Sequence, residues 1–198
     1  LFTIELLEDL KAQRCLVRAD DGAWVQANEL RWDRVPDRVE MAIRGRMDRL
    51  EPTQRRVLEV ASVVGPTFSA ELVGQASGLG RSQTVRLLSG QLARNHRLLA
   101  PVGVSRSGGR RVMLYRFAHV LFQRFLYESL DLVERAVLHE EIGELLEELH
   151  GGATELIAGE LGFHFEQAGA ARRAIAHLEA AGNQALAVSA YVESTGYY

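Results

Sequence analysis

The sequence is poor in the residues that build covalent or metal-held frameworks. It has one cysteine, four prolines and a single lysine, Lys11. Cys15 alone cannot form an internal disulfide, and this usage fits a reducing cytoplasm. No apolar run reaches the roughly 18 residues that a spanning helix requires, so no transmembrane segment is expected. The opening residues show no charged, apolar and small-residue succession, which predicts no secretory leader. The six histidines are scattered without a close His-x-x-x-His pair, and no Cys-x-x-Cys exists, so no metal site is expected. A Gly-x-x-x-x-Gly-Lys-[Ser/Thr] phosphate loop is also missing. Ser62, Ser69 and Ser77 lack a neighbouring histidine and acid, so nothing in the sequence supports catalysis by this chain.

One further lack is local. Between Gly80 and Arg116 there is no Asp or Glu, while eight arginines occur, at 81, 86, 94, 97, 106, 110, 111 and 116. The net charge of −3 hides this block, because the rest of the chain sets 15 of the 23 basic residues against all 26 acidic ones, a balance of −11. Such a block marks either a partner surface or a solvated arginine-rich face, and both readings stay open.

What is present is a hydrophobic content of 47%, enough for ordinary cores, and strong periodicity. The stretch from Arg111 to Leu130 starts with near-alternating Val112, Leu114 and Phe117, which predicts a strand. Leu121, Phe122, Phe125, Leu126 and Leu130 then recur at three- and four-residue spacing, which predicts a helix. His119 stands at the junction, beside the first turn. A helix N-terminus has unpaired N–H groups and partial positive charge and so suits an anion such as phosphate. The competing reading is a partly buried histidine that caps its own helix.

Taken in order, residues 1–12 read as a helix whose pattern starts without a capping residue, which predicts a sequence beginning inside a larger protein. A small hairpin follows around Asp20-Asp21-Gly22. Val35-Pro36-Asp37 opens a helix with Val39, Ile43, Met47 and Leu50 inward. Pro52 opens another through Val64. Phe68-Ser69 is expected to start a short helix to Ser77, and Ser82 to cap a third through Asn95. Residues 98–117 form a hairpin around Ser105-Arg-Ser-Gly-Gly109. Three helices followed by a hairpin is the order of a winged-helix domain. Asp131 caps a long helix through His150, with Val133, Val137, Leu138, Ile142, Leu145, Leu146 and Leu149 as its stripe. Residues 153–168 and 171–187 form an antiparallel pair patterned like a tetratricopeptide repeat, with another helix expected from Ala187. The fold class is thus mostly α: a helical segment with a small hairpin at 1–50, a winged helix at 51–130, a linker helix at 131–152 and the start of a helical solenoid at 153–198. Trp24 and Trp32 read as packing residues, Phe163 and Phe165 as repeat core, and His139, His164 and His177 as satisfied histidines beside apolar stripes.

Several stretches carry a resemblance: Leu1-Phe-Thr-Ile-Glu-Leu-Leu7, Val35-Pro36 through Leu50, Val57-Leu-Glu-Val-Ala-Ser-Val-Val-Gly65 with Phe68, Tyr115-Arg-Phe-Ala-His119 through Leu130, and Phe163-His-Phe-Glu-Gln-Ala-Gly169. In this order they resemble the regulatory half of bacterial signal-transduction ATPases with numerous domains, proteins often fused to nucleotide-cyclase or DNA-binding output domains. The resemblance covers nearly the whole chain, and each motif alone is soft. It implies a fragment: the end of the ATPase lid, the winged helix, a linker helix and the first repeats. ATP or ADP and Mg²⁺ would be held by an ATPase core that precedes it. His119 matches the family's phosphate-sensing histidine in a Met-His-Asp motif. Ala118 and Val120 replace the flanking residues.

Two classes of function follow. In the first, the chain is a non-catalytic module of an ATP-driven signalling switch, packed on the ATPase core of the same polypeptide, with its repeats receiving a signal from a partner protein. In the second, it is a nucleic-acid-binding winged-helix regulator. There Arg81 and Arg86 enter the major groove while Arg106, Arg110 and Arg111 grip phosphates, and affinity depends steeply on salt. Only Gln83, Arg86 and Gln91 on the third helix could reach bases, which counts against it.

Overall fold

The computed structural model describes residues 16–18, 24–26, 37–107, 110–151 and 153–195. The readings for residues 1–12, Trp32, Asp20-Asp21-Gly22 and Gly108-Gly109 lie outside the described residues. Contacts divide the chain into two units, Leu1–Leu50 and Glu51–Tyr198.

In the first unit, β1 (Leu16–Arg18) pairs antiparallel with β2 (Trp24–Gln26), Val17 facing Val25. Trp24, expected to pack, is half exposed. Helix α1 (Asp37–Met47) follows Pro36, and Ile43 and Met47, one turn apart on it, are buried.

The second unit opens with α2 (Pro52–Val64). Pro52 suits a first helical position because its missing N–H would lack a partner there anyway. The Glu51 N–H donates to Gln54 Oε1 at 3.0 Å, which satisfies one of the orphan donors of that end. Thr67–Ser69 then forms β3 rather than the first turn of a helix. Phe68 is buried between exposed Thr67 and half-buried Ser69, the alternation of a strand with one face on the core. Helix α3 (Ala70–Ala76) starts only after it, capped by Ser69 Oγ, which accepts from the Leu72 N–H at 3.1 Å.

Helix α4 (Arg81–Val85) begins at Gly80, so Ser82 lies inside the helix and is not its cap. The helix continues as π-helical turns over Arg86–Asn95, where the Ser89 hydroxyl donates to Val85 O at 2.6 Å. Gln91 is drawn back toward α2 by a bond from Gln54 Nε2 at 2.9 Å.

Strands β4 (Leu99–Ser107) and β5 (Arg110–Phe117) form the expected hairpin, with an irregularity between Pro101 and Gly103. The hairpin is not alone. β3 pairs antiparallel with β5, giving a three-stranded sheet in the order β3-β5-β4. Phe68 faces Tyr115 at 6.4 Å and Phe117 at 5.7 Å between ring centroids, and Leu58, Leu88, Leu92 and Leu126 are fully buried core residues of the same unit. Each such side chain contributes about 1.5–3 kcal/mol by leaving water.

Helix α5 (Val120–Ser129) leaves β5 through His119, and α6 (Leu132–His150) follows. Asp131 caps α6 as expected: its Oδ1 accepts from the Glu134 N–H at 2.8 Å, while the Asp131 N–H donates back to Glu134 Oε2 at 3.3 Å. Gly151 ends the helix at φ 55°, a left-handed conformation that a glycine adopts without strain. Of the expected stripe, Leu138, Ile142 and Leu146 are buried, but Val133 and Val137 at its start are exposed.

A 3₁₀ turn at Glu155–Ile157 leads into α7 (Ala158–Gln167), which packs against α8 (Ala171–Thr195). α8 runs unbroken past Ala187, where a new helix was expected; an alanine-rich sequence without proline gives it no reason to stop. Small residues let these helices approach closely. A Cβ on Gly143 would meet the Phe165 ring at 2.8 Å, and one on Gly162 would meet Leu178 Cδ2 at 2.6 Å. The chain is therefore mostly helical with a small three-stranded antiparallel sheet in the second unit.

Candidate functional site

His119 sits where β5 hands over to α5, in extended backbone at φ −149° and ψ 141°. Its ring is exposed, and Nδ1 accepts from the Leu121 N–H at 3.2 Å. The histidine thus caps its own helix, and in doing so takes up one of the N–H groups that the sequence reading left for an anion. Phe122 N–H turns back to His119 O at 3.1 Å. With Nδ1 accepting, the neutral ring carries its proton on Nε2, a donor of the kind a phosphate oxygen takes. The capping role of His119 is thus seen in the structure.

The arginine block is a surface. Arg81, Arg86, Arg94, Arg97, Arg111 and Arg116 are all exposed, while the side chains of Arg106 and Arg110 lie outside the described residues. Arg81 and Arg111 border a common cavity, and Arg81 Nη2 lies 3.8 Å from Glu71 Oε1. Gln91, counted as a candidate base reader, is engaged by Gln54. The structure does not bring His119 and these arginines into one described cluster.

Sequence reasoning missed a buried polar chain that links α5, α6 and α7. His139 Nδ1 and His164 Nδ1 lie 2.9 Å apart, and His139 Nε2 lies 3.1 Å from the Tyr127 hydroxyl. Both histidines are almost fully buried. Phe163 meets the His139 ring edge-on at 5.6 Å and the His164 ring at 5.5 Å, and the Arg135 guanidinium lies 4.7 Å above the Tyr127 ring. Burial, and then the positive charge of Arg135, push His139 down to about 4; burial, and then His139, do the same to His164. Neutral rings at ordinary pH follow, one donating through Nδ1 and the other accepting.

A second group ties α8 to α6. Glu147 accepts from Arg173 Nη2 and, at 2.8 Å, from His177 Nε2, while Arg173 Nη1 reaches Glu144 at 3.0 Å. Burial raises the Glu147 pKa, but the bonds from His177 and Arg173 outweigh it and hold the carboxyl below its ordinary value. The Phe165 ring is stacked by His177 at 5.5 Å and covered by Arg173 at 3.9 Å.

Among the described residues no group of three His, Cys, Asp or Glu side chains is placed to hold a metal ion, and no helix is long and apolar enough to cross a membrane. No family model, curated protein or solved structure matches this chain.

Proposed function

We propose that this chain is a non-catalytic regulatory segment of an ATP/ADP-switched signalling protein, which couples the state of a bound nucleotide to a sensing surface and an output domain. Residues 51–130 are read as a winged helix. The order α2, β3, α3, α4, β4, β5, with the first strand paired to the last, supports this. α7 and α8 are read as a tetratricopeptide-like pair, supported by their antiparallel packing through Gly162.

The observation that carries the reading is His119: an exposed donor-bearing ring fixed by its own helix at the end of a sheet strand. The sequence contains no phosphate loop. In the proposal the ATPase core of the same polypeptide holds the nucleotide and Mg²⁺, and this chain supplies one contact, from His119 to a phosphate oxygen. Hydrogen exchange in the full-length protein tests it. Amides of residues 120–123 should exchange more slowly with ADP bound than with ATP bound. Equal protection in both states would contradict the reading.

The exposed arginines on α4 and β5 give a second reading, a nucleic-acid-binding winged helix, its one specific observation.

A further inference from the structure

A cavity of about 690 Å³ lies in the second unit, between the sheet end of α3 and the C-terminal turns of α6. It is of the size that small-molecule sites occupy. Its walls are largely apolar, with Phe68, Leu72, Leu114, Leu146 and Ile157 among them.

Glu71 is the group that gives this cavity a chemical preference. β3 ends at the rung Ser69–Leu114, where the chain turns into α3. The next N–H of β5, that of Met113, would then lose its strand partner. Glu71 reaches back and accepts it through Oε2 at 2.9 Å. This bond fixes the carboxylate at the cavity wall. Its other oxygen, Oε1, is buried without a hydrogen-bond partner among the described residues. Among the described residues Arg81 is its ion-pair partner, at 3.8 Å, which is too far for a hydrogen bond, and the Arg81 side chain is 74% exposed. A buried acceptor left unsatisfied costs about 1–3 kcal/mol, more when charged, so a native structure that keeps one has a reason for it.

We propose that this cavity binds a small organic amine with an apolar body, its ammonium group donating to Glu71 Oε1 and its hydrocarbon part lying against the apolar walls. A protonated amine supplies the missing donor and brings to hydrogen-bond distance a positive charge that Arg81 holds only at 3.8 Å. Glu160, on the α7 side of the cavity, adds a second carboxylate to the wall. The carboxylates of Glu71 and Glu160 oppose an anionic ligand in the proposal, with the exposed Arg81 and Arg111 lining the same cavity. Arg81 swings toward solvent as the ammonium takes its place beside Oε1.

The site is independent of the proposed switch. Its test uses three probes of one shape: cyclohexylamine, cyclohexanol and cyclohexanecarboxylate. Each is titrated into the chain at neutral pH while the Met113 amide resonance is followed. Cyclohexylamine should shift that resonance saturably. Cyclohexanol should bind at least about tenfold more weakly, because it lacks the charge. The carboxylate should not bind. Glu71→Gln keeps an acceptor for the Met113 N–H but turns an N–H₂ group toward the cavity, and should weaken amine binding about tenfold or more. Leu149→Trp, which narrows the cavity and leaves Glu71 in place, should also abolish binding, and it decides the matter if Glu71→Gln fails to fold. Equal binding of amine and alcohol, no binding of the amine, or unchanged affinity in the variant that folds would overturn the proposal.

Discussion

A single imidazole shows how position changes the meaning of a residue. His119, His139 and His164 have the same chemistry, yet His119 is exposed at a helix start and the other two are buried against each other. Burial makes the pair an acid-sensitive joint between helices. The folded pKa values, about 4, lie below the ordinary 6.5, so between these limits the unfolded chain binds more protons than the folded one. Stability then rises with pH in that window. It is complete above about 6.5 and is lost as pH falls toward 4. One ring depressed this far corresponds to about 3 kcal/mol. Urea unfolding between pH 7 and 4 should show this loss, and His139→Gln with His164→Gln should flatten it. A wild-type midpoint that does not move over that range would count against neutral burial. The pair was not legible in the sequence. Each histidine alone reads as a satisfied residue beside an apolar stripe, and nothing in a spacing of 25 residues says that two rings meet. The same holds for Glu71, whose partner Met113 lies 42 residues away.

Elements with long, regular periods were legible: α2, α6 with its Asp131 cap, the β4–β5 hairpin, and the strand-to-helix change at His119 all stand where the apolar pattern put them. β3 was not. Three residues are too few to show a period of two, and Ser69 reads equally well as the cap of a helix starting at once. Its partner strand decides the matter, since Phe68 gains a place beside Tyr115 and Phe117. The start of the α6 stripe failed for the reverse reason: Val133 and Val137 fit the period but are exposed among the described contacts. Helix packing gives a graded prediction. At Gly143 a new methyl would strike the Phe165 ring, which is itself held between His177 and Arg173. Gly143→Ala should therefore destabilise by about 1–3 kcal/mol. At Gly162 a new methyl would meet Leu178 Cδ2 at 2.6 Å and Cγ at 2.7 Å, with the Leu178 backbone N at 3.4 Å; because that side chain is half exposed it has solvent to turn into, so alanine should cost less than at Gly143. Gly182 meets nothing within 4 Å, and Gly182→Ala should stabilise α8 by up to about 1 kcal/mol. Thermal denaturation of the three variants checks the order, and equal melting temperatures would contradict it.

For the whole molecule, the proposal rests on a division of labour. The core of sheet and helices holds His119 in one orientation, the exposed arginines offer a charged face, and the helices that follow carry separate polar joints. A switch of this type needs its two states balanced within a few kcal/mol, so that one contact can shift the populations. The bond from His119 to a nucleotide phosphate, being charge-assisted, would contribute about 1.5–3 kcal/mol to the ADP-bound closed state. The most direct measurement is the rate of ADP release from the full-length protein carrying His119→Ala, with the buried His139 left intact. The account predicts release about tenfold faster or more, with raised output in the absence of signal. Release and basal output at wild-type levels would show that His119 only caps its helix, and the sensor role would be wrong.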